Sequence, residues 1–505
     1  MIHEREADVV VIGAGLGGLL AAARFLRRGR RVVVVERLAH PGGRFTAKTF
    51  QGAQVSTGAV HMLPFGSNGE LAGMLRLLGV PHRVHDAEVF ASFHVRGRQY
   101  VCRSVLQLAG VLGPRQFAEL FRLGGEMLFT RPSAEERGLS FAGWLERRIS
   151  RRHSPELYAY FERMAHFALS VDLPDVAYPE VVEITKNMLR YGAPGIVDGG
   201  CAALTGELER RVLADGGEVR LSHDVLALEH ENDAVTGVRV RDKATGDETL
   251  LRAPLVISNI GPVATRRLAG LGAREPAVAE MAAGTRSAAA TRGHGSSARD
   301  GEHATVADVV NGEGEAPHTS GRRREASGLK VHLLSDISII PHKGIMYCLD
   351  TERIAGIVQP TNSDRRLAPP GKHLLITHQL MRSDDVNAER EAARADLRRL
   401  FGADFGTKVT ILTMSQYRGE WPVNRAMQGE DVSPETELAG LYLVGDAVKP
   451  SGYLMVEGVA QSVNWLLDVL DGPSSAGRRT HTPPKPANRR ALHWLVAPPP
   501  PHRDA

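Results

Sequence analysis

The beginning of the chain alternates short apolar runs with a glycine-rich turn and a helical pattern. Residues 9–12 read VVVI and residues 32–35 read VVVV, with a stretch rich in Ala and Leu between them. Short runs of β-branched residues bounded by glycine are typical of buried strands, whereas the Ala- and Leu-rich stretch is typical of a helix. The pattern therefore predicts a strand, a tight turn, a helix and a second strand parallel to the first.

The turn carries three glycines and is followed by an acid, in the spacing of a dinucleotide site. Gly13 permits the tight turn, Gly15 lets a pyrophosphate approach the backbone, and Gly18 permits close packing of the helix on the strand. The helix N-terminus presents N–H groups and a partial positive charge to the phosphates. Glu36 ends the second strand, where it can accept hydrogen bonds from a ribose 2′-hydroxyl. We expect a dinucleotide at this site, with Arg37 also in contact with it.

Further along the chain, the apolar periodicity separates a helical stretch from several strands. Residues 104–170 carry apolar pairs at helical spacing, and Ser140 stands where an N-cap is expected. The strand patterns that follow are 218–221, 235–241, 248–252, 255–257, 329–334, 344–349 and 373–378. A charged helix begins near Asp385. Its interleaved charges indicate a solvated face without a catalytic role: Glu389, Arg390, Glu391, Arg394 and Asp396.

Composition narrows the class of protein. The 505 residues suffice for two domains, with 43% apolar and only 5% aromatic residues. The net charge of +4 is scattered and no nucleic-acid motif is present, so we expect no nucleic-acid partner. Cys102, Cys201 and Cys348 are too few and too dispersed for a disulfide framework or a metal site, which favours the reducing cytoplasm. Because no apolar stretch reaches about 18 residues, we expect a cytoplasmic protein with at most peripheral membrane contact.

Two further motifs connect this pattern to a known superfamily. Pro41-Gly42-Gly43-Arg44 follows the ribose acid closely, and residues 440–462 combine a short apolar strand, Gly445-Asp446 and a helix opened by Gly458. On these motifs the chain resembles flavin oxidoreductases of the phytoene desaturase and amine oxidase superfamily. The resemblance implies an α/β fold. A Rossmann-type FAD-binding domain would carry a discontinuous substrate domain, made of an antiparallel sheet plus a helical cap.

The resemblance also assigns contacts to the FAD cofactor. Gly42, Gly43 and Arg44 would run beside the FAD pyrophosphate and toward the flavin. Asp446, directly after Gly445, would bind the pyrophosphate or the ribityl chain. No second glycine-strand-acid unit is present, so a tightly held nicotinamide beside the FAD is not indicated.

Three more residues complete the implied cofactor site. The helix N-terminus at Gly458 and Val459 would lie near the pyrimidine edge of the flavin, where it stabilises negative charge on the reduced ring. Val225 would contact the adenine through its backbone. An ordinary buried strand valine is the alternative interpretation of Val225.

The implied domain organisation is discontinuous. The FAD-binding domain would consist of residues 1–90, 195–285 and 436–472. The helical cap would be 91–194, and the substrate-domain sheet would be 328–435. The cap is interpreted either as an ordinary hydrophobic core or as a substrate channel with a membrane-dipping face.

Two segments have too few large apolar residues to form a buried core. Residues 286–327 lack Leu, Ile, Met, Phe, Tyr and Trp, and residues 473–505 are rich in proline. Such segments bury too little apolar surface to offset the entropy cost of ordering. We expect a disordered insert and a disordered tail, with a local shift of reading frame as the alternative explanation of the insert.

The resemblance implies hydride transfer between flavin N5 and a carbon of an apolar, polyene or terpenoid, substrate. The reaction would be desaturation, saturation or double-bond isomerisation. No catalytic base is identified; the candidates are His61, Tyr453 and Glu457, and a packed structural role is the alternative for His61. Ser56 stands where carotenoid desaturases carry an acid, so a carotenoid substrate does not follow. A flavin amine oxidase is the alternative enzyme. A non-catalytic flavin-binding lipid chaperone or assembly factor is the alternative of another class.

Overall fold

The computed structural model describes residues 3–58, 60–271, 327–417 and 432–472. Its strands are β1 His3–Glu6, β2 Val9–Ile12, β3 Val32–Val35, β4 Ala47–Phe50, β5 Ala53–Ser56, β6 Met62–Leu63, β7 Val84–Asp86, β8 Ala91–Val95, β9 Arg98–Cys102, β10 Gly195–Val197, β11 Glu218–Arg220, β12 His223–Glu231, β13 Ala234–Asp242, β14 Glu248–Arg252, β15 Leu255–Ser258, β16 Gly328–Ser335, β17 Met346–Cys348, β18 Ile354–Val358, β19 His373–Leu380, β20 Val409–Tyr417 and β21 Leu441–Leu443. Its helices are α1 Leu16–Leu26, α2 Glu70–Leu78, α3 Leu108–Phe129, α4 Ala134–Arg137, α5 Phe141–Glu146, α6 Pro155–Ala168, α7 Tyr178–Tyr191, α8 Gly200–Ala214, α9 Pro262–Leu268, α10 Val386–Phe401 and α11 Met455–Asp471. The predicted tail, and the predicted insert apart from residue 327, lie outside the described residues.

A parallel five-stranded sheet carries the predicted nucleotide-binding pattern. Its strand order is β11-β3-β2-β15-β21, and Val9 pairs with Val32 on one side and with Leu255 on the other. Strands β2 and β3 are buried along their whole length, as expected for central strands covered on both faces. Helices α1, α8 and α11 cover one face, and the antiparallel strands β12 to β14 cover the other. The predicted strand, turn, helix and strand are confirmed.

A second, seven-stranded sheet forms the wall of the substrate domain. Its order is β20-β16-β19-β18-β17-β8-β9, and its pairs are antiparallel except for β17 with β8. Residues 91–102 belong to this sheet as the hairpin β8–β9, so their assignment to the helical cap was wrong. Arg96 and Gly97 both have positive φ (52° and 69°), and this two-residue turn closes the hairpin. Strands β18 and β20 were also missed.

Helices α3 to α7 form the cap and share an apolar core with the seven-stranded sheet. The predicted cap at Ser140 is confirmed, because its Oγ accepts a hydrogen bond from the Gly143 N–H at 3.1 Å. Helix α3 is kinked where Gly113 (φ 75°) precedes Pro114. None of the described helices combines the length and the apolar composition that a membrane span requires.

Helix α10 begins next to Asp385, as predicted, and Asp385 is its N-cap, but the acids of this helix are not all solvated. Glu389 and Asp396 are only 1% and 2% exposed. Glu389 accepts the N–H groups of two residues that follow β19, and Asp396 accepts those of three residues before and at the start of β18. The prediction of a solvated face was therefore wrong for these two acids, because loop amides that no strand pairs turn toward the helix.

Candidate functional site

The glycine turn after β2 has the geometry that its spacing predicts. Gly13 has φ 93°, and its N–H donates to the Val35 carbonyl at 2.7 Å. A Cβ at Gly18 would lie 1.9 Å from the carbonyl oxygen of Gly13, so only glycine lets α1 start this close to β2. Gly15 is the N-cap of α1 and provides no side-chain cap. The first N–H groups of α1 therefore suit a phosphate ligand.

The ribose acid Glu36 is buried and points at this turn. Its two carboxylate oxygens accept the Ala14 N–H at 2.8 Å and the Leu38 N–H at 2.9 Å. A carboxylate has about four lone-pair positions, so two remain for ribose hydroxyls. Arg37 is exposed beside the acid, and its backbone carbonyl accepts a hydrogen bond from Lys243.

The segment 42–44 lies against the same turn. The Gly42 N–H donates to the Ala14 carbonyl at 2.8 Å, and Gly42 bridges to Gly15. Gly42 and Gly43 both have positive φ (96° and 54°), and a Cβ at Gly43 would lie 3.6 Å from Gly15 Cα. The chain thus brings its second glycine segment into contact with the first.

Arg44 connects this segment to the C-terminal motif. Its Nη2 lies 3.5 Å from Oδ2 of Asp446, and Nζ of the buried Lys449 lies 3.8 Å from Oδ1 of Asp446. Gly445, with φ 109°, donates its N–H to Ser462 Oγ at 2.9 Å and so fixes the backbone before Asp446. The acid is therefore held between two cations at the end of β21.

Helix α11 begins at Met455, so the prediction that Gly458 opens it was three residues late. Gly458 lies in the first turn, where a Cβ would meet Lys449 Cβ at 2.7 Å. A Cβ at Gly17 would lie 3.1 Å from Val459 Cγ1. The N-terminal ends of α1 and α11 are therefore packed side by side next to the glycine turn.

Val225 lies in β12 next to the ribose acid. Two residues before it, the N–H of His223 donates to the Glu36 carbonyl at 2.9 Å. Val225 pairs with Val240 and is partly buried. Strand β12 therefore starts beside the ribose acid, and the adenine contact of Val225 stays a prediction.

Asn259 is a site residue that the sequence reasoning missed. Ideal Cβ atoms at Gly15, Gly17 and Gly445 would each lie within 2.6–2.7 Å of its amide group, so its side chain touches both glycine motifs. Its N–H donates to the Ile12 carbonyl at 2.8 Å. The available signal was its position directly after a buried parallel strand, at the edge of the sheet where ligands bind.

His61 is buried, and both of its ring nitrogens have backbone partners. Nε2 lies 2.9 Å from the Gln54 carbonyl, and Nδ1 accepts the Cys201 N–H at 3.1 Å. Burial lowers the pKa of His61 to about 4, so the ring is neutral at physiological pH. These contacts favour the packed structural role over a proton-transfer role.

Glu457 is fully buried and accepts two backbone N–H groups, from Phe65 at 3.3 Å and from Leu71 at 2.8 Å. Leu71 is in the first turn of α2, so Glu457 caps that helix from α11. Burial raises the pKa of Glu457 to about 7. One oxygen is thus engaged by the first turn of α2 and the other by the Phe65 N–H before that helix.

Tyr453 belongs to a small aromatic cluster, which consists of Phe65, Tyr191 and Tyr453. Phe65 stacks on Tyr191 with ring centroids 4.9 Å apart, and Tyr453 meets Phe65 edge-on at 6.4 Å. The Tyr191 hydroxyl donates to Glu70. Burial raises the pKa of Tyr453, so its hydroxyl stays protonated.

Comparison with known proteins identifies the family. A profile of the family described as flavin-containing amine oxidoreductase matches residues 16–272, which include Gly18, Glu36 and the segment 42–44. The chain belongs to the flavin-containing amine oxidoreductase family. It is thus an FAD-dependent oxidoreductase, as its resemblance to the phytoene desaturase and amine oxidase superfamily implied.

Two relatives of this flavoenzyme match nearly its whole length, and a third matches about half of it. An uncharacterized protein of Methanocaldococcus jannaschii is 30% identical over 462 residues, 91% of this chain and 98% of that protein. The crystal structure of an oxidoreductase from Methanosarcina mazei is 31% identical, with a TM-score of 0.73 over 92% of this chain and 100% of that one. The chloroplastic prolycopene isomerase of Daucus carota is 25% identical over 303 residues, 51% of this chain and 46% of that protein.

One side chain of the flavoenzyme's substrate sheet was missed altogether. Lys330, on β16, is 2% exposed, and burial together with the charge of Arg44 lowers its pKa to about 7, against the opposing effect of the Cys201 thiol. Its neighbours at 329 and 331 point to the opposite face and pack with α10. The signal was a lysine within a strand that also carries four aliphatic residues, a setting where charged residues are rare.

The described residues of this flavoenzyme contain no group of three or more His, Cys, Asp or Glu side chains that could hold a metal ion. The three cysteines are free and buried at separate positions.

Proposed function

We propose that this FAD-dependent oxidoreductase acts on an apolar, polyene or terpenoid, substrate. The observation that carries the proposal is the apolar and aromatic core shared by the cap and the seven-stranded sheet, on the side of the sheet that faces the cofactor segments. When bound, FAD supplies the redox chemistry by accepting or returning a hydride. Desaturation, saturation and double-bond isomerisation are the reactions that this chemistry allows.

The cofactor is held by the residues of the two glycine motifs and the acids behind them. The first turn of α1 binds the pyrophosphate, Glu36 accepts from the ribose, and the backbone near Val225 lies beside the adenine. Arg44 and Asp446 hold the chain between pyrophosphate and flavin. The FAD-binding domain then comprises residues 1–90, 195–285 and 436–472, while residues 91–102 belong to the substrate sheet.

The shared core supplies the apolar walls that such a substrate needs. Phe93 lies between Tyr160 and Tyr347, with ring centroids 5.9 and 5.8 Å away, and Phe167 meets Tyr347 edge-on at 5.9 Å. Buried aliphatic side chains of the cap and sheet surround these rings. Rigid aromatic walls hold an extended apolar molecule through contact area rather than through hydrogen bonds.

The charges at the sheet face distinguish an apolar substrate from an amine. Arg44 is a cation, and Lys330, with its pKa lowered to about 7, is protonated in part at neutral pH and forms no salt bridge with any described carboxylate. A protonated amine that entered beside Lys330 would be repelled. The relationship to a prolycopene isomerase also supports a polyene substrate.

Amine oxidation is the second candidate function. The family description and the aromatic cluster of Phe65, Tyr191 and Tyr453 favour it, because a cage of aromatic faces attracts an amine. This cluster lies beside α2 and α11 rather than on the face that carries Lys330.

Product analysis under anaerobic conditions tests the proposal. The purified holoenzyme, with its flavin oxidised or chemically reduced, is incubated with phytoene, with prolycopene and with putrescine; free FAD is the control. We expect new double bonds or changed double-bond geometry in the polyenes, and no bleaching of the flavin by putrescine. Bleaching by putrescine with no polyene conversion would show amine oxidation. Stoichiometric polyene binding with no conversion in either redox state would show a carrier.

Peripheral membrane contact is part of the proposal, since an apolar polyene resides in membranes. Helix α3 and the segment before it expose Leu106, Phe121 and Phe129 to 47%, 48% and 89%. Arg115 and Arg122 on the same helix are also exposed and suit anionic lipid headgroups. We expect co-sedimentation with anionic phosphatidylglycerol vesicles that weakens at high salt; no co-sedimentation would contradict membrane contact.

A further inference from the structure

The loop of residues 449–454 lies between the acid Asp446 and the start of α11, and the cap contacts it. The loop follows the short helical turn that begins at Asp446 and leads into Met455, the first residue of α11. Side chains of the cap helix α7 form hydrogen bonds with Ser451 and Gly452 in the middle of the loop. The cap therefore reaches the segment that joins the two parts of the C-terminal motif.

Glu180 makes two of these hydrogen bonds. It lies in the first turn of α7 and is only 5% exposed. Its Oε1 accepts the Gly452 N–H at 2.9 Å, and its Oε2 accepts the hydroxyl of Ser451. Burial raises the pKa of Glu180, whereas these two hydrogen bonds and the charge of Lys449 act in the opposite direction. Such a buried carboxyl group holds its partners firmly, because breaking either bond would leave a buried polar group unsatisfied.

The backbone of Gly452 is also held on its other side. Asn187, further along α7, donates from Nδ2 to the Gly452 carbonyl at 2.8 Å. Gly452 has φ 82°, and an added Cβ would lie 2.7 Å from the nearest side-chain atom of α7. Both polar groups of this residue thus bind α7, at a distance that only glycine permits.

The loop ends in a strained residue. Met455 has φ 44°, in the left-handed region that residues other than glycine rarely adopt. Such a conformation persists only where the surrounding contacts determine it. At the other end of the loop, Lys449 packs on the first turn of α11, since a Cβ at Gly458 would lie 2.7 Å from its Cβ. The start of α11 is therefore positioned by the loop, and the loop by α7.

We infer that Glu180 is a positioning residue of the FAD site, although it belongs to the cap. By holding Ser451 and Gly452, it fixes the loop between Asp446 and the N-terminus of α11. The N–H groups at the start of α11 stabilise negative charge on the reduced flavin only when they point at the ring. The inference rests on the proposed placement of the flavin beside Asp446 and α11, and it is independent of the substrate class.

FAD affinity and the visible spectrum of the bound flavin test the inference. Glu180→Ala removes both acceptor oxygens, so we expect it to bind FAD at least tenfold more weakly than the parent and to shift the flavin bands toward those of free FAD. Glu180→Gln keeps the size of the side chain and one acceptor oxygen, so it should recover part of the affinity. The dissociation constants are measured by fluorescence, with apoproteins that circular dichroism shows to be folded.

Glu183→Ala is the matched control. Glu183 lies on the same helix, but its side chain is half-exposed and pairs with Lys186. This variant should bind FAD like the parent and keep the flavin spectrum of the parent.

A double-mutant cycle with Ser451 separates positioning of the loop from general stabilisation. Ser451→Ala should weaken FAD binding roughly threefold. The double variant Glu180→Ala/Ser451→Ala should bind FAD no more weakly than Glu180→Ala alone, because the hydroxyl has then already lost its acceptor. Ser451→Ala leaves the cap intact, so it also tests the inference if Glu180→Ala fails to fold. Binding of FAD by Ser451→Ala with the affinity of the parent would contradict the inference.

Asp446→Ala separates this inference from the proposed function. If it weakens FAD binding while Glu180→Ala loses stability but keeps the affinity and flavin spectrum of the parent, Glu180 only joins the cap to the FAD-binding domain and the inference is wrong. If Glu180→Ala weakens FAD binding and Asp446→Ala does not, the inference stands through α11 and the proposed contact of Asp446 is wrong. If neither variant weakens binding, both are wrong.

Discussion

The carboxylate of Glu36 accepts the backbone N–H of Ala14 at 2.8 Å, so the ribose acid is tied to the glycine turn that it follows by 22 residues. The same carboxylate accepts the Leu38 N–H through its other oxygen. The acid therefore has two tasks, since it fixes the turn and still offers lone pairs to a ribose.

The first prediction is that Glu36→Gln weakens FAD binding roughly ten- to a hundredfold. The amide keeps one acceptor oxygen, but its NH2 group must face a backbone N–H or the ribose, and a hydrogen bond to a charged group contributes about 1.5–3 kcal/mol. The dissociation constant of FAD, measured by fluorescence with apoprotein, checks this. Glu218→Gln, an exposed acid on β11 of the same sheet, should bind FAD like the parent. Equal affinity of Glu36→Gln and the parent would remove Glu36 from the cofactor site.

The second prediction concerns the closest backbone approach in the turn. Gly18→Ala should destabilise the protein by about 1–3 kcal/mol and lower its FAD content, because the new Cβ meets the Gly13 carbonyl and α1 must move away. Chemical denaturation and flavin content measure the two effects.

Gly206→Ala in α8 is the matched control, since a Cβ there meets nothing within 4 Å. It should stabilise the protein by about 0.5–1 kcal/mol. If Gly18→Ala proved as stable as Gly206→Ala, the tight packing of α1 on β2 would not be real.

Local patterns predicted the nucleotide-binding part of the fold well, for a physical reason. Runs such as residues 9–12 and 32–35 are buried on both faces, and the turn between them needs glycine at fixed positions, so the signal is contained in adjacent residues. The role of Asn259, by contrast, cannot be predicted from the residues next to it in the sequence. Its amide meets two glycine motifs that lie far apart in the sequence, and only the folded sheet brings them together.

The burial of charged residues was the main feature that local sequence patterns did not predict. Glu389 and Asp396 alternate with arginines like surface residues, yet Glu389 accepts N–H groups from the loop just before its own helix, and Asp396 accepts them from a distant loop. The pattern around Lys330 predicted the strand but not the surroundings of its inward face. For Asp396 and Lys330 these surroundings come from another part of the chain.

The third prediction tests one of these buried acids. Asp396→Ala should destabilise the protein by roughly 2–4 kcal/mol, because it leaves three N–H groups next to β18 without their acceptor. Glu391→Ala, an exposed acid on the same helix, should change stability by less than about 0.5 kcal/mol. Denaturant titrations of both variants measure these changes. Equal stabilities would mean that Asp396 does not stabilise the fold by accepting these three N–H groups.

The last prediction is a pH dependence of stability that arises from Glu457. Its pKa is raised from an ordinary 4.5 to about 7 in the folded protein, so the folded state holds this proton more tightly than the unfolded state does. The resulting stabilisation is fully present below pH 4.5 and is lost as the pH rises through 7. Glu457→Gln cannot titrate, so the stability of the parent relative to this variant should fall by up to roughly 3 kcal/mol between these limits.

Thermal and denaturant unfolding of the holoenzyme at fixed excess FAD, from pH 4.5 to pH 8, measures this difference. Glu391→Gln serves as control, since an exposed glutamate should give a difference from the parent that stays flat above pH 5. A flat difference for Glu457→Gln as well would show that Glu457 is already ionised at pH 4.5. The two N–H groups of Phe65 and Leu71 would then outweigh the cost of burying its charge.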